Sequence, residues 1–386
     1  MTGISEDRRA RLVLSRVGEP GDVRLTGLVE EIGAGTVLAE LRKRESFNDL
    51  AAALAARLAA ADPDADLEAG RARGIRFVTP EDDEWPDTLG DLAHVLPLHE
   101  RGGPPVGLWL RGPLRLDEAS ESAVAVVGSR SATTYGTGLA SEIAAGVAES
   151  GRAIISGAAF GIDQAAHRGA LAVAGRTVAV LACGADRVYP SAHARLLAHL
   201  AEAGLVVSEA APGCAPTRIR FLARNRLIAA LTGGTVVVEA AVRSGALNTA
   251  NWAASLSRVL MGVPGPVTSA QSQGVHQLIR ARDGLLVTSA PDVLEAVAGS
   301  GAGLLAHRSG SGGSRDRLSV SDRSVLDAVP KANPAPIASI ARVAGVDPAR
   351  AAAALVALHR EGLVERSGQR WRIAPELARE EERAPP

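Results

Sequence analysis

The 386-residue sequence predicts an α/β fold: a Rossmann-like, doubly wound, mainly parallel sheet flanked by a helical N-terminal domain and a C-terminal winged helix. Two observations carry the sheet. Short Val/Ile/Leu runs near 124–128, 153–156, 177–182, 205–209, 235–239, 258–263 and 284–288 are mostly separated by helical text, the signature of successive βαβ units. The runs are also continuously apolar, as in Val124-Ala125-Val126-Val127, which is what a strand buried on both faces requires.

The elements follow in order. Residues 1–65 hold short helices broken at Gly18-Glu19-Pro20-Gly21 and Gly33-Ala34-Gly35, then an Ala-rich stretch from Asp49 to Ala61. Residues 75–115 are extended and Pro-rich, and predict accessory strands and turns against the main sheet, so the larger domain spans 75–300. A Gly/Ser/Arg-rich stretch at 301–320 predicts a flexible linker. Residues 321–376 give three helical segments and a hairpin around Ser367-Gly368, the order of a winged helix.

Composition narrows the function. With 46% hydrophobic and 22% charged residues and a net charge of -1, the chain is an ordinary globular protein rather than a uniformly basic nucleic-acid binder. Lys43 and Lys331 are the only lysines, so an anion contact here is made by arginine. Cys183 and Cys214 lack metal or redox spacing, as do His193, His199 and His276, so neither a metal nor a disulfide framework is expected. No signal-type apolar core opens the sequence, and no run approaches the roughly 20 apolar residues of a membrane span. A cytoplasmic location without membrane insertion is the expectation.

Three strand ends share a chemistry. Gly128-Ser129-Arg130, the stretch SGAAFGID with Ser156, Gly157 and Gly161, and EAAVRSGALNTA with Glu239, Ser244, Gly245 and Thr249 each follow an apolar strand with small residues and open a helix. Loop amides and helix N-termini would then crowd one rim, where open α/β sheets bind phosphate-rich ligands. Arg130 adds a planar cationic fork suited to phosphate. Arg218, Arg220, Arg224 and Arg226 surround Phe221, a combination that suits single-stranded nucleic acid. On spacing alone, a solvated helix face with Phe221 in the core is the favoured alternative. Asp163 and His167, four residues apart, predict a helix-stabilising pair rather than a catalytic one. Glu239 is either an acid/base group or a clamp on loop amides.

Taken in order, GSR, SGAAFGID, AAHRGAL, VYP, RNRLIAAL, EAAVRSGALNTA and GVPG resemble the DNA-processing protein A family (DprA/Smf) over roughly residues 85–300. The resemblance implies a SAM-like N-terminal domain, binding of single-stranded DNA, loading of RecA recombinase in natural transformation, and no cofactor or catalytic residue. By position it implies Arg130 on phosphate, Arg218 where a lysine is common, Phe221 as the base-stacking ring, and Arg224, Asn225 and Arg226 in the Arg-Asn-Arg motif. It reverses the spacing-only preference for Phe221 in the core. Phe221-Leu222 stands where the family usually has Phe-Pro. A homodimer is implied through His276, Ile279 and Leu285. Two other classes remain: TGGTVVVEA also resembles nucleotide phosphoribohydrolases, and a winged-helix regulator would need a more basic recognition helix than PARAAAALVALH.

Overall fold

The computed structural model describes residues 4–43, 48–281, 283–298 and 318–375, and the chain divides into two compact units, 1–305 and 306–386. The predicted linker lies outside the described residues apart from its last three positions.

In the first unit, α1 (Glu6–Val17), α2 (Val23–Ile32), α3 (Ala34–Lys43), α4 (Asn48–Ala60) and α5 (Pro63–Arg71) precede β1 (Ile75–Val78) and β2 (Leu108–Arg111). A short α6 (Leu116–Ser120) leads into the alternating region: β3 (Val124–Val127), α7 (Thr134–Glu149), β4 (Ile154–Ser156), α8 (Ile162–Ala172), β5 (Thr177–Leu181), α9 (Ala194–Ala203) and β6 (Leu205–Ser208). It continues through α10 (Arg218–Ala230), β7 (Gly234–Val237), α11 (Gly245–Ser255), β8 (Val259–Gly262), α12 (Gln273–Arg280), β9 (Leu285–Leu286) and α13 (Ala290–Val297).

The sheet order is β1-β2-β6-β5-β4-β3-β7-β8-β9. Neighbours from β6 to β9 are parallel, and β1 and β2 form an antiparallel pair that joins β6 antiparallel through β2. Alternation within each strand feeds two cores. Val124 and Val126 of β3 pack with residues of α7, α8 and α13, while Ala125 and Val127 pack with residues of α10 and α11. Helices on both faces explain why the strands are apolar throughout. No described helix is long and apolar enough to cross a membrane.

Two sequence expectations change. The strand predicted over 284–288 pairs only at Leu285 and Leu286, because its one neighbour, β8, ends at Gly262. The N-terminal helices belong to the same compact unit as the sheet, and α5 runs to Arg71, past the predicted boundary at 65. The join is specific: the indole of buried Trp109 on β2 donates to Ser15 Oγ of α1 at 2.9 Å.

The second unit contains α14 (Val320–Asp327), β10 (Ala335–Pro336), α15 (Ile337–Ala344), α16 (Pro348–Arg360), β11 (Val364–Ser367) and β12 (Arg370–Ile373). The strands pair antiparallel in the order β10-β12-β11. Val325, Leu326, Ile340, Leu355, Leu358 and Trp371 form its core. Asp347 caps α16 by accepting from the amides of Ala349 and Arg350.

Candidate nucleic-acid interface

Strands β3 and β7 lie side by side, yet the helices that follow them, α7 and α11, cover opposite faces of the sheet. Their loops therefore diverge and leave a crevice at the carboxyl ends, the place where doubly wound sheets hold ligands. An open cavity of about 970 Å³ occupies it.

The loop after β3 forms one wall. Its path is fixed from below: Ser129 N donates to the Glu239 carbonyl at 2.6 Å, and Ile162 N donates to the Ser129 carbonyl at 3.2 Å. Gly161 packs against that carbonyl with φ 76°, a conformation and a closeness that exclude a β-carbon. Arg130 is left exposed on the wall, its guanidinium carbon 4.7 Å from the centre of the Phe221 ring. Thr133 then caps α7, its Oγ accepting from Gly136 N at 3.1 Å.

Helix α10 forms the second wall. At about 100° per residue, Arg218, Phe221, Leu222 and Asn225 share one face while Arg220 and Arg226 point elsewhere. The first four line the cavity together with Arg224. Arg220 instead pairs with Glu19 at 3.0 Å. Arg226 is fully buried, gripping both oxygens of Glu209 at 2.7 Å and donating through Nε to the Gly103 carbonyl. This departs from the expectation of four arginines around Phe221: Arg226 is committed to a buried pair away from the cavity.

Arg224 is also buried, but at the cavity floor. Its Nη1 donates to the Val180 carbonyl at 3.0 Å, and its guanidinium carbon lies 5.7 Å from the Phe221 ring centre, so Arg130 and Arg224 both hold this half-buried ring. Gly157 makes room for it, since a β-carbon there would occupy the guanidinium's place. Burial pushes the Arg224 pKa down to about 10, opposed by Asp163, which leaves it cationic at neutral pH. Burial likewise raises Asp163, opposed by Arg224.

The loop after β7 closes the crevice. Ser244 caps α11, accepting from Ala246 N at 3.3 Å, and with Gly245 and Thr249 it lines the cavity. Asn225 Nδ2 ties the two walls, donating to Asn248 Oδ1 at 3.1 Å and to the Gly245 carbonyl at 3.3 Å. Arg243 and Asn248, both within EAAVRSGALNTA but not singled out from sequence, line the cavity, as does Tyr189 of VYP.

Several predicted residues support rather than line the site. Ser156 is buried and donates to the Val126 carbonyl at 2.7 Å, and Gly157 and Gly161 shape their loop. Glu239 is buried, with Thr133 N donating to Oε2 at 2.9 Å and Thr133 Oγ to Oε1 at 2.5 Å. Of its two predicted roles, the clamp on loop groups is the one its contacts match. The Asp163–His167 pair is not formed: His167 Nδ1 bonds Thr177 Oγ at 2.8 Å and Asp163 accepts from Ala159 N at 3.3 Å. Of the residues of the implied dimer contact, His276 bonds the Gly265 carbonyl at 3.0 Å, Ile279 is half-buried beside Gly262, and Leu285 is exposed. Among the described residues no group of three or more His, Cys, Asp or Glu could hold a metal.

Most arginines of the first unit have carboxylate or carbonyl partners, as Arg8, Arg16, Arg76 and Arg115 do. Arg130, Arg218 and Arg243 line the cavity without an ion pair among the described residues.

Comparisons with known proteins bear on the family and the fold. Residues 76–298 match the family model described as DNA recombination-mediator protein A. A curated relative from Mycobacterium tuberculosis named as a DNA processing protein DprA is 44% identical over 375 residues, covering 96% of this chain and 95% of its own. The crystal structure of DNA processing protein A from Streptococcus pneumoniae superposes with a TM-score of 0.61 at 32% identity, covering 76% of this chain and 98% of its own. The solved structure of DNA processing protein A from Helicobacter pylori, described for its single-stranded DNA binding mode, gives a TM-score of 0.50 at 26% identity, covering 57% of this chain and 95% of its own.

Proposed function

The chain belongs to the DNA recombination-mediator protein A (DprA/Smf) family, and on that premise we propose that it binds single-stranded DNA in the crevice between the β3 and β7 loops and passes it to a RecA-class recombinase. The observation that carries the reading is the set of guanidinium groups of Arg130, Arg218 and Arg243, without ion pairs among the described residues, around a ring held between Arg130 and Arg224. Guanidinium forks follow a phosphate backbone, while the ring stacks a base, worth about 1–3 kcal/mol without sequence preference. Duplex DNA keeps its bases stacked inside and offers the ring nothing.

The residues predicted to take part are Gly128, Ser129, Arg130, Arg218, Phe221, Arg224, Asn225, Ser244, Gly245 and Thr249, with Ser156, Gly157, Gly161 and Glu239 as their support. Residues 321–376 are read as a winged helix, and His276, Ile279 and Leu285 as the contact of a homodimer. The phosphoribohydrolase reading needs Glu239 in the cavity, and its carboxylate is instead buried against Thr133. The purified protein titrated with a single strand, a duplex and free nucleotides tests the proposal. Tighter single-strand binding that weakens with salt is expected; equal affinity for strand and duplex, or release of free base, refutes it.

A further inference from the structure

The chain has only four Phe and two Tyr. Phe47 lies outside the described residues, and Phe77 is buried against Trp109. The remaining four, Tyr135, Phe160, Tyr189 and Phe221, all stand on loops or helix starts at the carboxyl ends of the parallel strands, and the first three are 44%, 45% and 43% exposed. Exposed rings lose hydrophobic stabilisation, so in an aromatic-poor chain their gathering at one rim calls for a ligand.

Two of them extend the site. Tyr189 lies beside Phe221, ring centres 5.7 Å apart and tilted by 58°. Phe160 sits on the neighbouring loop, whose Gly161 packs against the backbone carbonyls of Ser129 and Arg130. Its exposure is propped from below: buried His193 meets the ring edge-on with centres 4.7 Å apart, and the His193 Nδ1–H donates to the Ala158 carbonyl of the same loop at 2.9 Å. Phe221 and Tyr189 thus stand together beside Arg130, whose guanidinium makes no ion pair among the described residues, and Phe160 stands exposed on the adjoining loop.

We propose that Tyr189 and Phe160 are further base-stacking steps that form an arc with Phe221 and carry a single strand outward past Arg130. The inference rests on the single-strand reading above and adds a path and two ligand-touching residues to it. Rings with an interleaved guanidinium suit consecutive bases and the phosphates between them, and nothing in the arc distinguishes one base from another.

The full-length protein and its Phe221→Leu, Tyr189→Leu, Phe160→Leu and Phe160→Trp variants are titrated with oligothymidylates of increasing length, with unfolding midpoints as the fold control. Stacking of one base corresponds to about 5- to 150-fold in affinity. Tyr189→Leu and Phe160→Leu are expected to weaken long strands at least about fivefold. Phe160→Leu is expected to spare the shortest strands that bind and to shorten the length at which affinity levels off, and Phe160→Trp to restore both. Unchanged long-strand affinity in both leucine variants, with Phe221→Leu still weakened, overturns the arc alone and assigns these rings to another partner. Failure of the wild type to bind any strand overturns the single-strand reading, and the arc with it.

Discussion

Arg226 and Glu209 form a two-pronged buried pair, both bonds 2.7 Å, and Glu209 Oε1 also accepts from Gly21 N between α1 and α2 at 3.2 Å. The pair therefore couples α10 and the end of β6 to the N-terminal helices. Removing one member leaves an uncompensated buried charge. Arg226→Leu is expected to cost about 3–5 kcal/mol in chemical denaturation. Protein that remains folded should bind a single strand as the wild type does, because Arg226 does not reach the cavity; a selective loss of DNA affinity at full stability would reverse that assignment.

Arg130 is the opposite case, exposed and without an ion pair among the described residues. Arg130→Ala should leave the unfolding midpoint unchanged and weaken single-strand binding, and Arg130→Glu should weaken it further through repulsion. The slope of log affinity against log salt should become shallower by about 0.7 for each phosphate that the variant no longer neutralises. An unchanged slope would place the phosphates elsewhere.

His167 makes stability depend on acid. It is fully buried against Thr177, and burial, with smaller contributions from His193 and Arg224, pushes its pKa down to about 3. In the unfolded chain it titrates near its ordinary value of 6.5. Between those values the unfolded state holds a proton that the folded state refuses, so stability is complete above about pH 6.5 and falls by about 1.4 kcal/mol per pH unit as pH drops toward 3. Asp163, whose pKa burial raises, acts with the opposite sign. The difference in acid slope between wild type and His167→Gln isolates the imidazole, and parallel slopes would contradict its neutral burial.

The β9 edge gives a test of assembly. Leu285 and Leu286 are 56% and 55% exposed on the last strand of the sheet, an edge that soluble proteins ordinarily guard with charge or cover. Leu285→Glu should convert a dimer into folded monomers in light scattering. Ile279, half-buried beside Gly262, is the poorer probe, because a carboxylate there would disturb α12 itself. A wild type that is monomeric at high concentration would refute the contact.

The parallel strands are legible in the sequence because burial on both faces leaves a continuous run such as Val124–Val127, and because the loops between them carry small residues at fixed places. The accessory pair of β1 and β2 is legible only as extended text. Its antiparallel join to β6 is set by contacts between β2 and β6, far apart in sequence, that no local pattern encodes. In α10 the arginines are visible but their division is not. Helical spacing separates the face of Arg218 and Phe221 from that of Arg226, yet the partner that claims Arg226 is Glu209, on another element and next to a glycine turn of the N-terminal helices. Arg243, Asn248 and Tyr189 lie inside motifs that the sequence already marks, and what singles them out is the crevice they face, which exists only once β7 returns beside β3.

The crevice is lined by the guanidinium groups of Arg130, Arg218, Arg224 and Arg243 and by no lysine, and that has a bearing on release. Such groups do not lose their proton at any pH a cell reaches, and they are not substrates for the acetylation that neutralises lysine. The charge that Arg130, Arg218 and Arg243 bring to the grip is therefore not adjusted by pH or by acetylation. On the proposed reading, a strand held this way leaves when something else competes for it, so its release is timed by the competitor rather than by the holder.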